Sequence, residues 1–183
     1  MSGIKIFMAL TVMFIGLTGC STNPPMKTVD YVDLGRFMGD WYVIANIPTF
    51  IEKNAYNAIE HYRLNDDGTI ATTFSFRKGG HQGELKQYEP KGFIKNKQTN
   101  ALWGMQFIWP IKADYRIVYL DKDYSRTIIG RKQRDYVWVM ARSRTIAETD
   151  YQEMVNVIKD LGYDISKLQR VPQIWSSTEE SHS

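Results

Sequence analysis

Short runs of alternating apolar and polar residues, separated by turn-forming residues, fill most of the chain between residues 41 and 143. Such runs are typical of antiparallel strands in a meander or a barrel. Asp67-Gly68 is a strong hairpin signal, and Pro90 predicts an interruption or an edge in the fourth run. The pattern predicts eight strands, over residues 41–50, 55–64, 69–77, 83–94, 100–109, 114–120, 126–131 and 136–143.

The spacing of the apolar residues changes after the eighth predicted strand. Between Glu148 and Leu161 the apolar residues recur at helical spacing, and Gly162 is placed to end the helix. A short helical turn is expected around residues 34–38, and an extended piece over 168–175 is expected to lie against the sheet edge. We therefore predict an all-β fold with one C-terminal α-helix, an eight-stranded antiparallel up-and-down barrel with room for side chains or one small ligand.

The first residues follow a third pattern. A single charge at Lys5 precedes an apolar run from Ile6 to Leu17, and Thr18-Gly19-Cys20 follows. This order predicts a signal peptide over residues 1–19. As a helix the apolar run is about 18 Å long, too short for a bilayer core of about 30 Å.

Leu17-Thr18-Gly19-Cys20 resembles the bacterial lipobox. The resemblance implies that Cys20 carries acyl chains, palmitate among them, although an ordinary signal peptide that ends in Cys is the alternative. Because Cys20 is the single cysteine, an intramolecular disulfide is excluded. Ser21, where inner-membrane lipoproteins commonly have Asp, implies by the same resemblance an outer-membrane location facing the periplasm.

Length and charge limit the remaining possibilities. We expect a lipidated tether over residues 20–30, one barrel domain with its helix over 31–175 and a disordered tail over 176–183. The 23 basic and 20 acidic side chains nearly balance, which argues against a nucleic-acid partner. Basic clusters at 95–97 and 131–134 fit solvated turns or, alternatively, contacts with anionic lipid.

Catalytic and metal chemistry finds little support in the sequence. The histidines, His61, His81 and His182, fall in a predicted strand, a turn and the tail, so no two share a plausible site. Nucleophile, phosphate-loop and metal-ligand motifs are missing. We expect neither an enzyme nor a metal or cofactor, and a lipid-processing enzyme is the least favoured alternative.

Several motif residues resemble those of the lipocalin family. Gly39 and Trp41 match the Gly-x-Trp motif that opens the first lipocalin strand, and Arg142 matches the basic residue of the last. The third motif is only partly present, as Asp121 and Tyr124, in a form similar to the bacterial lipocalins, which are outer-membrane lipoproteins. The resemblance implies a closed barrel end where the arginine packs over the tryptophan.

Alternation along the strands predicts which side chains face the lumen. The phase of Trp41 places Val43, Ala45 and Ile47 on its side. The predicted ligand contacts are mostly aromatic: Glu60, Trp103, Phe107, Trp109, Tyr115, Tyr119, Trp138 and Met140. Glu60 is unusual because a buried carboxylate is costly, and a bulge or a wrong phase would instead leave it in solvent.

These residues predict a carrier. An apolar lumen with phenolic hydroxyls suits binding, storage or transport of a small hydrophobic ligand, a fatty acid or a lysophospholipid, with its tail inside and its head at the mouth. We expect a monomer or homodimer held at the membrane by its lipid anchor. A barrel filled by its own side chains, in a structural envelope lipoprotein without a ligand, is the alternative.

Overall fold

A computed structural model describes residues 25–175. The predicted signal peptide, the predicted acylation site Cys20, the first part of the predicted tether and the predicted disordered tail lie outside these residues. Within them, no helix is long and apolar enough to cross a bilayer.

Ten strands form one antiparallel sheet that closes on itself. The strands are β1 (Gly39–Ile47), β2 (Ala55–Leu64), β3 (Thr69–Lys78), β4 (Glu84–Tyr88), β5 (Lys91–Ile94), β6 (Leu102–Ile108), β7 (Ile111–Leu120), β8 (Arg126–Gly130), β9 (Val137–Ala141) and β10 (Gln169–Arg170). β4 and β5 both pair with β3 and flank Pro90, so they are two halves of one interrupted strand. β9 pairs with β1, which confirms the predicted eight-stranded closed barrel.

Two helices frame the barrel. The single turn α1 (Leu34–Phe37) begins where the Asp33 side chain accepts a hydrogen bond from the Arg36 amide. α2 (Glu148–Asp160) confirms the predicted helix after the last barrel strand and packs its apolar face on the outside of the sheet. β10 then pairs with β1, as expected for the extended piece.

The closed half of the lumen is filled by aromatic rings. Phe37 and Tyr62 each meet Trp103 edge to face, at 5.6 and 5.8 Å between ring centres. Tyr115 stacks on the same indole at 5.3 Å. Because these rings occupy this end of the barrel, only the other half can hold an internal cavity.

Register shifts interrupt four strand pairs, and two of them reverse the orientation of residues predicted to face the lumen. The register shifts between Val43 and Ala45 in β1 and between Ile117 and Tyr119 in β7. A bulge adds one residue to a strand and so reverses the alternation beyond it. Ala45, Ile47 and Tyr119 therefore pack in the outer cluster with α2, and the predicted lumen orientation of these three residues is wrong.

Candidate functional site

The closed end of the barrel is tied together by one arginine. The Arg142 guanidinium lies 3.9 Å from the Trp41 ring centre. Its NH groups donate to the backbone carbonyls of Arg36, Met38 and Asp40 at 2.6 to 2.8 Å. The positive φ of Gly39, +91°, lets the chain turn between α1 and β1. These contacts fix α1 as a plug.

The other motif residues hold the turn between β7 and β8. Burial alone would raise the pKa of Asp121, but hydrogen bonds from Arg126 and Ser125 lower it overall. The Tyr124 hydroxyl accepts the Asp33 amide at 2.8 Å, which links this turn to the start of α1. Asp121 and Tyr124 thus support the plug.

A cavity of about 470 Å³ occupies the opposite, open half of the barrel. This volume lies within the range of about 300–1,000 Å³ that is common for small-molecule sites. The lining is mostly apolar and aromatic: Thr49, Phe50, Ile51, Glu52, Glu60, Phe74, Tyr88, Glu89, Pro90, Met105, Phe107, Ile108, Ala113, Asp114, Tyr115, Arg131, Tyr136 and Trp138. Its floor is the aromatic cluster of the closed half.

The structure brings four of the eight predicted ligand contacts to this cavity. Phe107 and Trp138 lie toward its mouth, and Glu60 and Tyr115 lie toward its floor. Glu60 faces inward, as the alternation along β2 predicts.

The other four predicted contacts do not line the cavity. Trp103 and Met140 face inward, but they are fully buried in the inner core. Trp109 is 83% exposed because β6 ends one residue earlier, and Tyr119 lies on the outer face beyond the bulge in β7. Assignment of these four residues as cavity contacts is corrected accordingly.

Glu60 lies in a setting that favours its neutral form. Burial raises the pKa of its carboxyl to about 8, the nearby Glu52 adds to the rise, and a hydrogen bond with Tyr62 opposes it. Glu60 Oε2 is buried without a hydrogen-bond partner among the described residues. At neutral pH the carboxyl group is therefore mostly protonated.

Two phenols complete this polar part of the floor. The hydroxyls of Tyr62 and Tyr115 are 2.6 Å apart. Burial raises the pKa of both phenols well above its ordinary value, and the proximity of Glu60 raises both further. All three groups are thus uncharged at neutral pH, and the floor is polar without carrying a net charge.

The mouth is shaped by residues that sequence reasoning missed. The Trp138 indole N–H donates to Glu52 Oε1 at 2.6 Å, while the amide and hydroxyl of Thr49 donate to Glu52 Oε2. These bonds fasten the loop between β1 and β2 to β9. The first predicted strand runs to residue 50, but β1 ends at Ile47, so alternation could not indicate the role of Thr49 and Glu52 in this loop.

One cation lines the mouth. The Arg131 guanidinium lies 5.2 Å from the Tyr136 ring centre, and its Nη1 is 3.3 Å from Asp135. Its Nε is buried and lacks a hydrogen-bond partner in the part of the chain that the structure describes. Arg131 thus holds a positive charge at the cavity entrance with unused hydrogen-bonding capacity.

The strand histidine, His61, contacts a carboxylate. His61 Nδ1 is 2.6 Å from Asp40 Oδ1, and both side chains are exposed on the outside of the barrel. Across residues 25–175, no three or more His, Cys, Asp and Glu side chains are grouped so that they could hold a metal ion.

Comparison with known proteins agrees with this geometry. Residues 32–173 match the lipocalin-like domain family. Temperature-induced lipocalin-1 of Arabidopsis thaliana is 34% identical over 154 residues, which cover 81% of this chain and 83% of the relative. Outer membrane lipoprotein Blc of Escherichia coli (strain K12) is 29% identical over 174 residues, with 93% and 97% covered.

Solved structures show the same fold. Insecticyanin from the tobacco hornworm Manduca sexta superimposes with a TM-score of 0.64 over 85% of this chain and 87% of its own, at 19% identity. Together with the Arg142–Trp41 contact and the closed barrel, a family match that spans most of the sequence shows that the chain belongs to the lipocalin family.

Proposed function

We propose that this lipocalin binds a single-chain amphiphile, a fatty acid or a lysophospholipid, and stores or transports it in the bacterial envelope. The observation that carries the proposal is the apolar cavity of about 470 Å³, which is open at one end of the barrel and closed by aromatic rings at the other. Such a cavity admits one narrow chain with its polar end at the mouth.

Burial of the acyl chain supplies the gross binding energy. About ten methylenes at roughly 0.8 kcal/mol each give about 8 kcal/mol. Association costs about 4–15 kcal/mol, so tail burial alone supports weak binding at best. Contacts of the head group therefore set the affinity.

The neutral floor allows the tail to reach deep into the barrel. An ionised Glu60 would require charge to remain buried beside an acyl chain, whereas the protonated form does not. The pKa of about 8 keeps the carboxyl protonated at neutral pH. The proximity of Glu60 is thus no obstacle to a ligand with an anionic head.

Arg131 is the candidate partner of that head group. It is the cation that lines the cavity, and its charge favours a carboxylate or a phosphate at the mouth. Its ion pair with Asp135 is long, at 3.3 Å, and leaves donors for a ligand. This placement orients the amphiphile with its head outward and its tail passing Trp138 toward Glu60 at the floor.

The anchor and location are part of the same proposal. The Escherichia coli relative is named as an outer membrane lipoprotein, and Leu17–Cys20 resembles a lipobox. We infer that residues 1–19 are removed and that Cys20 is acylated. The barrel then stands on the periplasmic face of the outer membrane, connected by the tether over residues 20–30.

The proposal is tested by what the purified mature protein carries. Mass spectrometry of its organic extract should detect fatty acids or lysophospholipids in near-stoichiometric amount. Titration of the delipidated protein with oleic acid and lysophosphatidylethanolamine should quench tryptophan fluorescence saturably. Absence of both signals would contradict the proposal and favour a structural lipoprotein without a ligand.

A matched pair of variants locates the binding site. Trp138→Phe removes the indole that lines the cavity and should abolish most of the quenching. Trp109→Phe removes an indole that is exposed at the rim and should leave the quenching by soluble ligand intact. Equal loss in both variants would place the ligand outside the cavity.

A further inference from the structure

Large apolar side chains are exposed around the mouth of the cavity. Among the described residues, the four most exposed large hydrophobic side chains all lie there: Phe50 at 80%, Ile108 at 72%, Trp109 at 83% and Ile111 at 68%. We call these four residues the rim patch. Phe50 lies in the loop after β1, and the other three lie in the hairpin between β6 and β7.

Cavity binding does not account for the rim patch. Phe50 and Ile108 contribute to the cavity lining, but Trp109 and Ile111 do not. Soluble proteins rarely expose large apolar side chains in a contiguous group. Such groups mark surfaces that a membrane or another molecule covers. The rim patch therefore indicates a partner outside the barrel.

The course of the N-terminal segment indicates where the proposed anchor would attach. The Met26 carbonyl accepts a hydrogen bond from the Arg116 side chain. Arg116 pairs with Gly130, the residue at the mouth-side end of β8. Farther along, the Val32 amide donates to Thr99 at the closed end. The described chain thus starts toward the mouth and runs toward the closed end.

The proposed anchor is close to this starting point. Cys20 precedes Pro25 by five residues, a stretch that spans at most about 18 Å. Acyl chains on Cys20 would therefore hold the barrel within about 18 Å of the membrane on its mouth side.

The charges around the rim are compatible with a lipid surface. Lys53 and Lys112 flank the apolar residues of the two loops, and Arg131 and Lys132 lie in the loop between β8 and β9. Of the carboxylates around the mouth, Asp114 pairs with Arg116 and Asp135 pairs with Arg131, while Glu52 and Glu89 have no cation partner among the described residues. Lys112 lies over the Phe93 ring, whereas Lys53 and Lys132 have no ion pair among the described residues and are cations of the kind that anionic lipids attract.

We propose that the rim patch docks into the interface of the bilayer that holds the acyl chains of Cys20, so that the cavity mouth opens directly onto lipid. This proposal extends the proposed function and takes its anchor from it. Tryptophan prefers the membrane interface, where Trp109 would lie, with Phe50, Ile108 and Ile111 around it. Docking would let an amphiphile enter without crossing water.

A fluorophore attached at the rim tests the docking. Mature acylated protein with Ile111→Cys is reconstituted in vesicles of phosphatidylethanolamine and phosphatidylglycerol and labelled with an environment-sensitive dye. Lipids brominated near the head group should quench this dye strongly. They should not quench the same dye in the Lys97→Cys variant, because Lys97 lies in the loop at the closed end.

A second substitution tests the patch itself. Trp109→Ser in the Ile111→Cys protein should lower the ratio of docked to undocked barrel about tenfold, because one large apolar side chain is lost. Binding of soluble amphiphile should not change, since neither residue lines the cavity. Equal quenching at positions 97 and 111, or none at 111, would overturn the proposal.

Two other outcomes are separable. A blue-shifted dye at position 111 that lipid does not quench would show that a second copy of the chain covers the patch, which would also overturn the proposal. Mass spectrometry that finds a second label on Cys20 would contradict the proposed acylation. Docking would then be tested by adding vesicles to the unanchored protein. Stronger quenching of the dye at position 111 than at position 97 would support it.

Discussion

At the scale of single residues, the protein places a carboxyl group where it is most stable without charge. Glu60 is enclosed by the barrel, close to Glu52 and the phenols of Tyr62 and Tyr115. Alternation in β2 predicted the inward direction of this side chain, but the neighbours that tune it come from other elements. Its protonation at neutral pH could therefore be seen only in the folded structure.

The raised pKa of Glu60 makes stability depend on pH. The folded state keeps a proton that the unfolded state releases, so stability should fall as pH rises from about 4.5 to about 8. The slope is at most about 1.4 kcal/mol per pH unit. Glu60→Gln should therefore flatten this dependence and stabilise the protein by up to about 3 kcal/mol at pH 7.

Urea denaturation at pH 5, 6, 7 and 8 measures this effect. Glu89→Gln is the matched control, because Glu89 is exposed at the rim and should leave the slope unchanged. If the free energy of unfolding of Glu60→Gln depends on pH in the same way as that of the unaltered protein, Glu60 is ionised at neutral pH and the neutral floor does not exist.

At the scale of elements, patterning predicted the strands well and the bulges not at all. One face of a typical barrel strand is exposed, so alternation reveals its phase. β1 is different, because its last seven residues, Trp41 to Ile47, are all buried between the lumen and the helix α2. Because both faces of this strand are buried, its sequence does not alternate and cannot reveal the register shift. The predicted orientation of Ala45 and Ile47 was wrong for that reason.

The plug formed by α1 gives an element-scale prediction. Arg142→Lys retains a positive charge but cannot reproduce the fork of hydrogen bonds to three backbone carbonyls or the flat contact with Trp41. We expect a loss of about 2–4 kcal/mol in the free energy of unfolding. Arg144→Lys, on the outside of the barrel, should cost under about 1 kcal/mol.

Chemical denaturation of the two variants under the same conditions provides the comparison. A similar, small loss in both would mean that the carbonyls of α1 are satisfied without Arg142. The fork would then be dispensable for closing the barrel.

At the scale of the whole molecule, the start of the described chain, the rim patch and the cavity mouth lie on one side of the barrel, and the proposed anchor would attach there. The family motifs and the sequence Leu17–Cys20, which resembles a lipobox, could be found in the sequence because they are local. The rim patch could not, because Phe50 and Ile108 line the same cavity mouth only when the barrel closes, and alternation had assigned Trp109 to the lumen.

The anchor is tested by labelling cells with radioactive palmitate. Label should enter the chain through Cys20 and disappear in Cys20→Ser, while Ser21→Ala should retain it. Binding of soluble lysophosphatidylethanolamine should be the same in acylated and non-acylated protein, because Cys20 lies outside the barrel domain. Persistent label in Cys20→Ser would contradict the proposed acylation.

The central claim is that the cavity itself holds the amphiphile, and native mass spectrometry with lysophosphatidylethanolamine tests it most directly. The delipidated protein should form a complex with one lipid molecule. Ala113→Trp should lose that complex while it retains the circular dichroism spectrum of the barrel, because Ala113 lines the cavity and an indole there would fill much of it. Complexes of equal abundance in both proteins would contradict the account.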